Sequence, residues 1–590
     1  MLDTVRSSTF EREMLDEISR ERLWEYVSTI AKDERMSGSP EEREAMRYVA
    51  DTLRSWDVEV QEYEHDGYVS KPVRAQLEVQ SPEKVSLECI THSFATSASL
   101  AGDVIYVGNG DDADYAGQDV QGKIALIEGL AGPGKVVAAE RHAVAGLIFI
   151  NDNELHQMIV TPVWGTPTPD RTPLLPKLPA VSIRLRDGDR FKKWLERGPI
   201  HVRMETEVWT GWAHLPVVVG TVRGAQDPDH FVMLAGHIDS WFHGAIDNAA
   251  ANATTLEVMR LFAAHRGQLR RGFRVVLWSG HSHGRYAGST WYADNFWEEL
   301  YDQCVAYVNV DSTGATLATL YEEILAMPET AALARGVITD LTGQQTDVNR
   351  VGRAGDQSFW GIGIPSVFMS LSRVPIASAP ELSRAMGALT GRKKSGQAWF
   401  WHTEHDTLDK IDLDVLRMDT RIYLAAILRL TNSPVLPFDY VATVDELLGA
   451  LQGYQDRSGD VVDLGPVLER ARTLRSALAL LNQQIAAGIA GEQREATINQ
   501  ALVDLGRILV PINYTEVGPF DHDLALHAPA LPMLHGMNRL TQLDPQSDDY
   551  RFLRTQLVRR RNHAAFALRQ AHQRTRAALA ALDAEKERVR

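Results

Sequence analysis

Three apolar runs end in residues able to bind a metal or move a proton. HFVMLAGHIDS places His237 and Asp239 after the first, FRVVLWSGHSH places His281, Ser282 and His283 after the second, and CVAYVNVDS places Asp311 after the third. Ten residues beyond His237 a Gly-containing loop supplies Asp247 and Asn248, and WFWHTEHDTLD later adds His402, His405 and Asp406. Imidazoles and carboxylates gathered at one sheet edge suit zinc or a similar divalent ion, for which nitrogen and anionic oxygen are good donors. A lone histidine at a strand end is more often a hydrogen-bonded part of the core, but recurrence at several strand ends favours a site. Metal-assisted attack on an amide also needs a group that takes a proton and passes it to the leaving amine. Histidine titrates near neutral pH and can do so, which makes His281 the candidate.

The elements that must position these residues follow from patterning. HFVMLAG, FRVVLWSG, CVAYVNV and GIPSVFMS are near-continuous apolar runs, as strands buried on both faces of a sheet require, and amphipathic patterns such as NAAANATTLEVMRLFAAH lie between them. This alternation predicts an α/β fold with a mostly parallel central sheet over residues 216–435. In open sheets of this class, ligands bind outside the carboxyl ends of the strands. Residues 1–70 are expected to open the same domain, with 11–35 helical through Leu15, Ile18, Leu23 and Val27, and a helix start at Ser39-Pro40-Glu41-Glu42. Residues 71–215 shift to short β-like runs such as GKIALIEG and AGLIFIND, which predicts an inserted β-rich domain. Residues 436–590 carry helical periodicity, broken by an irregular link at LVPINYTEVGPFDHDLALHAPALP.

At these residues the chain resembles the zinc aminopeptidase and glutamate carboxypeptidase family, in the branch that holds glutamate carboxypeptidase II and the transferrin receptor. GHIDS, AIDNAAA, YVNVDS and WHTEHDT resemble the family's metal-site motifs in the family's order. DVQGKIALIEG to FKKWLERG resembles its inserted protease-associated domain, and the helical C-terminus its dimerisation domain. The resemblance implies that His237 and Asp311 bind one metal and His402 a second, with Asp247 bridging them. It also implies that Asp239 and Asp406 orient ligand imidazoles from behind. The departure is WSGHSHGRYAGS, where relatives carry two glutamates, a general base and a ligand. His281 stands at the place of the base and Ser282 at the place of the ligand. The site then either holds one ion on His237, Asp247 and Asp311, or takes His281 or His283 as a replacement ligand. Zinc is the expected ion, as one or two, and iron, manganese or cobalt also suit such donors. A tyrosine that assists the tetrahedral intermediate in the glutamate carboxypeptidase branch is replaced by Trp401, which offers an indole N–H. Arg353 is a candidate for bidentate binding of a substrate carboxylate, and Trp360, Trp399 and Trp401 for an aromatic wall or for core packing.

Composition excludes other classes. The 590 residues are 44% hydrophobic and 24% charged, as in soluble globular proteins. The net charge of −17 argues against nucleic acid, which demands a basic footprint. No run approaches the roughly 18 apolar residues of a membrane span. The polar start has no signal core, and Cys89 and Cys304 cannot build a disulfide framework. A soluble cytoplasmic protein, homodimeric through residues 436–590, is expected. The expected function is metal-assisted hydrolysis, or a diverged hydrolytic or lyase reaction, of a small amide or peptide-like substrate, with His281 and Asp239 in catalysis. An ordinary small-peptide metallopeptidase and a non-catalytic binding protein are the alternatives.

Overall fold

The apolar runs are strands, and their register explains the site. In the computed structural model, strand Asp227–His237 pairs in parallel with Arg271–Trp278 on one side and Cys304–Asn309 on the other. Cys304–Asn309 pairs in parallel with the short strand Ser366–Val367. Every residue of Arg271–Trp278 and Cys304–Asn309 is buried, as continuous apolar strands between two helical layers must be. Trp278 lies opposite His237, and Asn309 opposite Ala235. The three carboxyl ends therefore lie level, and the polar residues that follow them emerge side by side. The structure describes residues 8–390, 392–489 and 491–589; residues 1–7 of the expected opening domain, Gly391, Ala490 and Arg590 lie outside the described residues.

Two long antiparallel strands, Glu59–Ser81 and His201–Val222, tie the inserted domain to the core. One end of His201–Val222 pairs with Arg271–Trp278 and the other with Ala98–Tyr106. The expected borders at 70/71 and 215/216 thus fall inside continuous strands. Within the insert, Ala98–Tyr106, Ile124–Glu128, Gly146–Ile150 and Ala180–Ile183 pair in parallel in that order. Helices Pro133–Arg141 and Leu185–Leu195 accompany them, so the insert is itself α/β.

Two local expectations change. Residues 11–35 form two helices, Thr9–Asp16 and Arg20–Ile30, because the Ser19 hydroxyl accepts the Arg22 N–H and starts a second helix. Leu15, Ile18, Leu23 and Val27 are buried as their spacing predicts. The helix Glu492–Tyr514 runs through Pro511 into the segment read as an irregular link. Burial of Leu509, Val510, Ile512 and Tyr514 outweighs the amide hydrogen that Pro511 lacks. Cys89 and Cys304 are free thiols. No helix among the described residues is long and apolar enough to cross a membrane.

The C-terminal helices Tyr440–Ser458, Gly465–Ala486, Glu492–Tyr514 and Asp548–Val589 share one apolar core with the central sheet. Arg507 fixes this docking. Its guanidinium donates to the carbonyls of Tyr301 at 2.8 Å, Gly363 at 2.9 Å, Cys304 at 2.6 Å and Leu300 at 3.3 Å. Arg507→Ala removes a donor from four carbonyls at this junction and should cost about 2–4 kcal/mol of unfolding free energy. Denaturant unfolding checks this, and a loss below about 0.5 kcal/mol, typical of a surface position, would show that the contact does not hold the helices in place.

Candidate metal centre

His237 ends its strand and is 1% exposed. Its Nδ1 lies 2.7 Å from the Asp239 carbonyl oxygen, an acceptor, so Nδ1 carries a hydrogen and, in the neutral ring, Nε2 presents its lone pair. Nε2 faces Asp247 Oδ1 at 3.2 Å and Asp311 Oδ1 at 3.9 Å, and it is buried without a hydrogen bond. His402 repeats the arrangement: Nδ1 is 2.6 Å from the Gln157 carbonyl and Nε2 is 3.1 Å from Asp247 Oδ2. His281 repeats it again, with Nδ1 2.9 Å from Asp356 Oδ2. Its ring stacks on that of His237 with centroids 3.8 Å apart. Ligand atoms of His237, His281 and Asp311 all lie within 4.8 Å of one another.

The backbone around these residues is fixed by buried polar groups. The Asp406 carboxylate accepts the N–H of Ile246 at 2.9 Å and of Asp247 at 3.2 Å, so it holds the Asp247 loop where the resemblance implied an imidazole partner. Asn248 Nδ2 donates to the carbonyls of His237 and Val310, and Asn248 Oδ1 accepts from Ser312 N–H, which ties two strand ends together. The Asp239 carboxylate accepts from the Ser37 hydroxyl at 2.6 Å, Ser282 N–H at 2.8 Å and His281 N–H at 3.3 Å. It lies 3.6 Å from His237 Nδ1, farther than its own carbonyl oxygen. The shorter contact is the one that orients the ring. Arg35, fully buried, donates to the carbonyls of Ile238, Ile30, Asp33, His243 and Gly244.

Burial and charge compete here. Burial alone would lower the His237 pKa, but contacts with Asp239, Asp247 and Asp311 outweigh it and hold the ring well above its usual value. Burial alone would raise Asp247, yet His237 and His402 hold it below the carboxylate range. Burial, with the nearby Asp247 charge, pushes Asp406 up to about 7. Asp247 and Asp311 repel one another across the His237 nitrogen unless that ring is protonated or a cation lies between them. A divalent ion on these donors removes that conflict, so the residues present fit the group that the sequence implies.

Other expected residues stand apart. His283 is buried behind the site, with Nδ1 3.0 Å from Ser37 Oγ and its ring against Trp241, so it is no replacement ligand in this arrangement. Ser282 is 1% exposed and meets Asp239 through its backbone. His405 is nearly half exposed and faces Glu154. Trp401 stacks on His402 with centroids 3.4 Å apart, whereas Trp360 packs on Tyr514.

A cavity of about 440 Å³ opens on Asp247, His281, Asp311 and His402. The inserted domain contributes Met158 and Ile159 to its wall, and the helical domain Ala525 and His527. Arg353 lines it too, but its guanidinium is already paired with Asp523 at 2.5 Å and with the Tyr514 carbonyl, which removes it as a carboxylate clamp. Two arginines that patterning did not single out are better placed. Arg285 is buried in the wall, donates to the Ile159 carbonyl, and has an Nε without partner. Arg373 is bonded to Gln397 and Ser370, and its Nε is also without partner. Neither forms an ion pair among the described residues. A basic residue isolated in an apolar stretch, as in HGRYAGS and SLSRVP, is the signal that could have found them.

Residues 217–427 match the model described as Peptidase family M28. A probable glutamate carboxypeptidase from Zea mays is 25% identical over 488 residues, 70% of this chain and 67% of that protein. A peptidase M28 precursor from Shewanella amazonensis superposes with a TM-score of 0.57 at 19% identity, over 72% of this chain and 97% of that one. A zinc aminopeptidase from Bacillus subtilis does so with a TM-score of 0.53 at 16% identity, over 70% and 96%. At these identities the two structures establish a shared fold.

Arg35→Met is expected to cost about 3 kcal/mol, because it leaves buried carbonyls of the 238–244 loop without donors. Equilibrium unfolding measures it, and a change under about 0.5 kcal/mol, as for an ordinary surface site, would show that the loop holds itself.

Proposed function

We propose that this chain, which belongs to peptidase family M28 through residues 217–427, is a metal-dependent hydrolase of a small amide or peptide-like substrate, with His281 moving the proton. One observation carries the reading. Three imidazoles have Nδ1 tied to an acceptor; Nε2 of His237 and of His402 faces Asp247, and His281 stands with a ring nitrogen within 4.8 Å of ligand atoms of His237 and Asp311. His237, Asp247, Asp311 and His402 would hold the ion. Zinc suits this mixture of nitrogen and carboxylate donors best, and iron, manganese or cobalt would bind the same set. When bound, a divalent ion would polarise the scissile carbonyl and make a water a nucleophile near neutral pH.

The chain's own residues do the rest. Asp356 fixes the His281 tautomer, as a carboxylate behind an imidazole does, and leaves Nε2 as the atom that accepts the proton and returns it to the leaving amine. A group with this task must stand close to the metal ligands, and His281 does. Stacking of His281 on His237 keeps the ring from turning away. Asp239 grips the backbone N–H of His281 and Ser282 and so fixes the turn that carries the ring.

The cavity wall supports a negatively charged substrate group. Burying a guanidinium without a counter-charge is costly, and burial lowers the pKa of both Arg285 and Arg373. Asp311, Asp419 and Glu323 offset part of the Arg373 charge, whereas among the described residues no carboxylate acts on Arg285, and a substrate carboxylate entering beside it would supply that anion. Pairing of two chains through residues 436–590 belongs to the same reading. Leu480, Phe552 and Phe566 are more than half exposed on its helices, where a second copy would cover them.

His281→Ala should lower turnover by about 10²–10⁴-fold while metal content stays at the wild-type level. Turnover near normal in that variant would remove His281 from the acid–base role. Arg285→Met should raise KM for dipeptides with a free carboxylate by at least about tenfold and leave their C-terminal amides unaffected. An equal effect on both substrate classes would contradict the charge argument.

A further inference from the structure

One buried group beside the site has no role in the account above. His156, in the inserted domain, is fully buried. Its Nε2 lies 2.9 Å from Asp152 Oδ1 and its Nδ1 2.6 Å from the Trp401 carbonyl oxygen. Carbonyl and carboxylate oxygens are acceptors, so in these contacts the ring is the donor. The backbone N–H of His156 is held in turn by Asn151 Oδ1 at 3.0 Å. The next residue, Gln157, grips His402 twice: its carbonyl accepts from His402 Nδ1, and its N–H donates to the His402 carbonyl at 2.9 Å. Both carbonyls of the Trp401–His402 pair are thus held by one loop of the inserted domain. His402 has φ of 60°, a left-handed conformation that a residue with a side chain adopts when its surroundings enforce it.

We propose that Asp152 and His156 are positioning residues for His402, and that through them the inserted domain sets the affinity of the metal centre. The proposal rests on His402 being a ligand, as argued in the preceding section. Asp152 aims the His156 ring, His156 fixes the Trp401 carbonyl, and the backbone turn that follows points His402 Nε2 at Asp247. Trp401 adds a flat support, its ring stacked on that of His402. No contact from Asp152 or His156 to Asp247 or Asp311 is present among the described residues; their hydrogen bonds reach the site through the 401–402 backbone. Groups one step behind a metal ligand typically change affinity by about 10–100-fold when replaced.

The test uses the full-length protein freed of metal and titrated with Zn²⁺ by calorimetry and with Co²⁺ by visible absorption. The variants are His156→Gln, Asp152→Asn, the conservative Asp152→Glu and, as reference, His402→Ala. His156→Gln and Asp152→Asn should each weaken Zn²⁺ binding by at least about tenfold and alter the Co²⁺ ligand-field bands. Asp152→Glu should return towards the wild type, and the metal-free melting midpoints should stay close to it. If His156→Gln does not fold, the isosteric Asp152→Asn decides. Wild-type affinity in both variants, with weakened binding in His402→Ala, would overturn the positioning role and leave the metal centre standing. Equal affinity in wild type and His402→Ala would overturn His402 as a ligand, and this proposal with it.

Discussion

Asp247 is buried between two imidazoles, and the rest of the site is arranged around that position. A carboxylate out of water needs hydrogen bonds or a counter-charge. Here His237 Nε2 stands 3.2 Å from one oxygen and His402 Nε2 3.1 Å from the other. Both imidazoles offer lone pairs when neutral, because their Nδ1 atoms are committed to backbone carbonyls. Asp311 adds a second carboxylate to the same nitrogen of His237. Lone pairs and negative charge facing one another from several directions describe a place built for a cation.

That constraint reaches into every part of the chain. The level ends of three parallel strands deliver His237, His281 and Asp311, and Asn248 ties two of those ends together. Arg35, in the loop that follows the second N-terminal helix, donates to the carbonyls of the loop before Asp247. The inserted domain supplies the clamp on His402 and part of the cavity wall. The helical domain, docked by Arg507, brings Ala525 and His527 to the same cavity and Asp523 to Arg353. Four stretches of chain far apart in sequence therefore meet around one cavity of about 440 Å³, as expected when a site sits at a domain junction.

The central sheet was legible because strands buried on both faces must be apolar without interruption, and polar residues after such runs stand out. His237 and Asp311 were found by that contrast alone. His281 and His283 look equal in spacing, but they lie in the turn after the strand, where residues two apart need not share a face; one ring meets the cavity and the other meets Ser37 and Trp241. Arg353 was misjudged because its partner, Asp523, arrives from the helical domain. The same remoteness hid Asp356 behind His281 and Gln157 behind His402. Ser19 shows the local counterpart: its hydroxyl splits a run whose apolar spacing reads as one helix. Pairings between distant segments leave no trace in spacing or periodicity, whereas the burial of a strand does.

Buried imidazole nitrogens and carboxylates at the ends of these strands are proposed to hold a divalent ion. Elemental analysis of natively purified protein, run beside the His237→Ala variant, tests it most directly. The wild type should carry a stoichiometric divalent ion, zinc first, and the variant should lose it. A metal-free wild type that takes up no divalent ion on titration would contradict it.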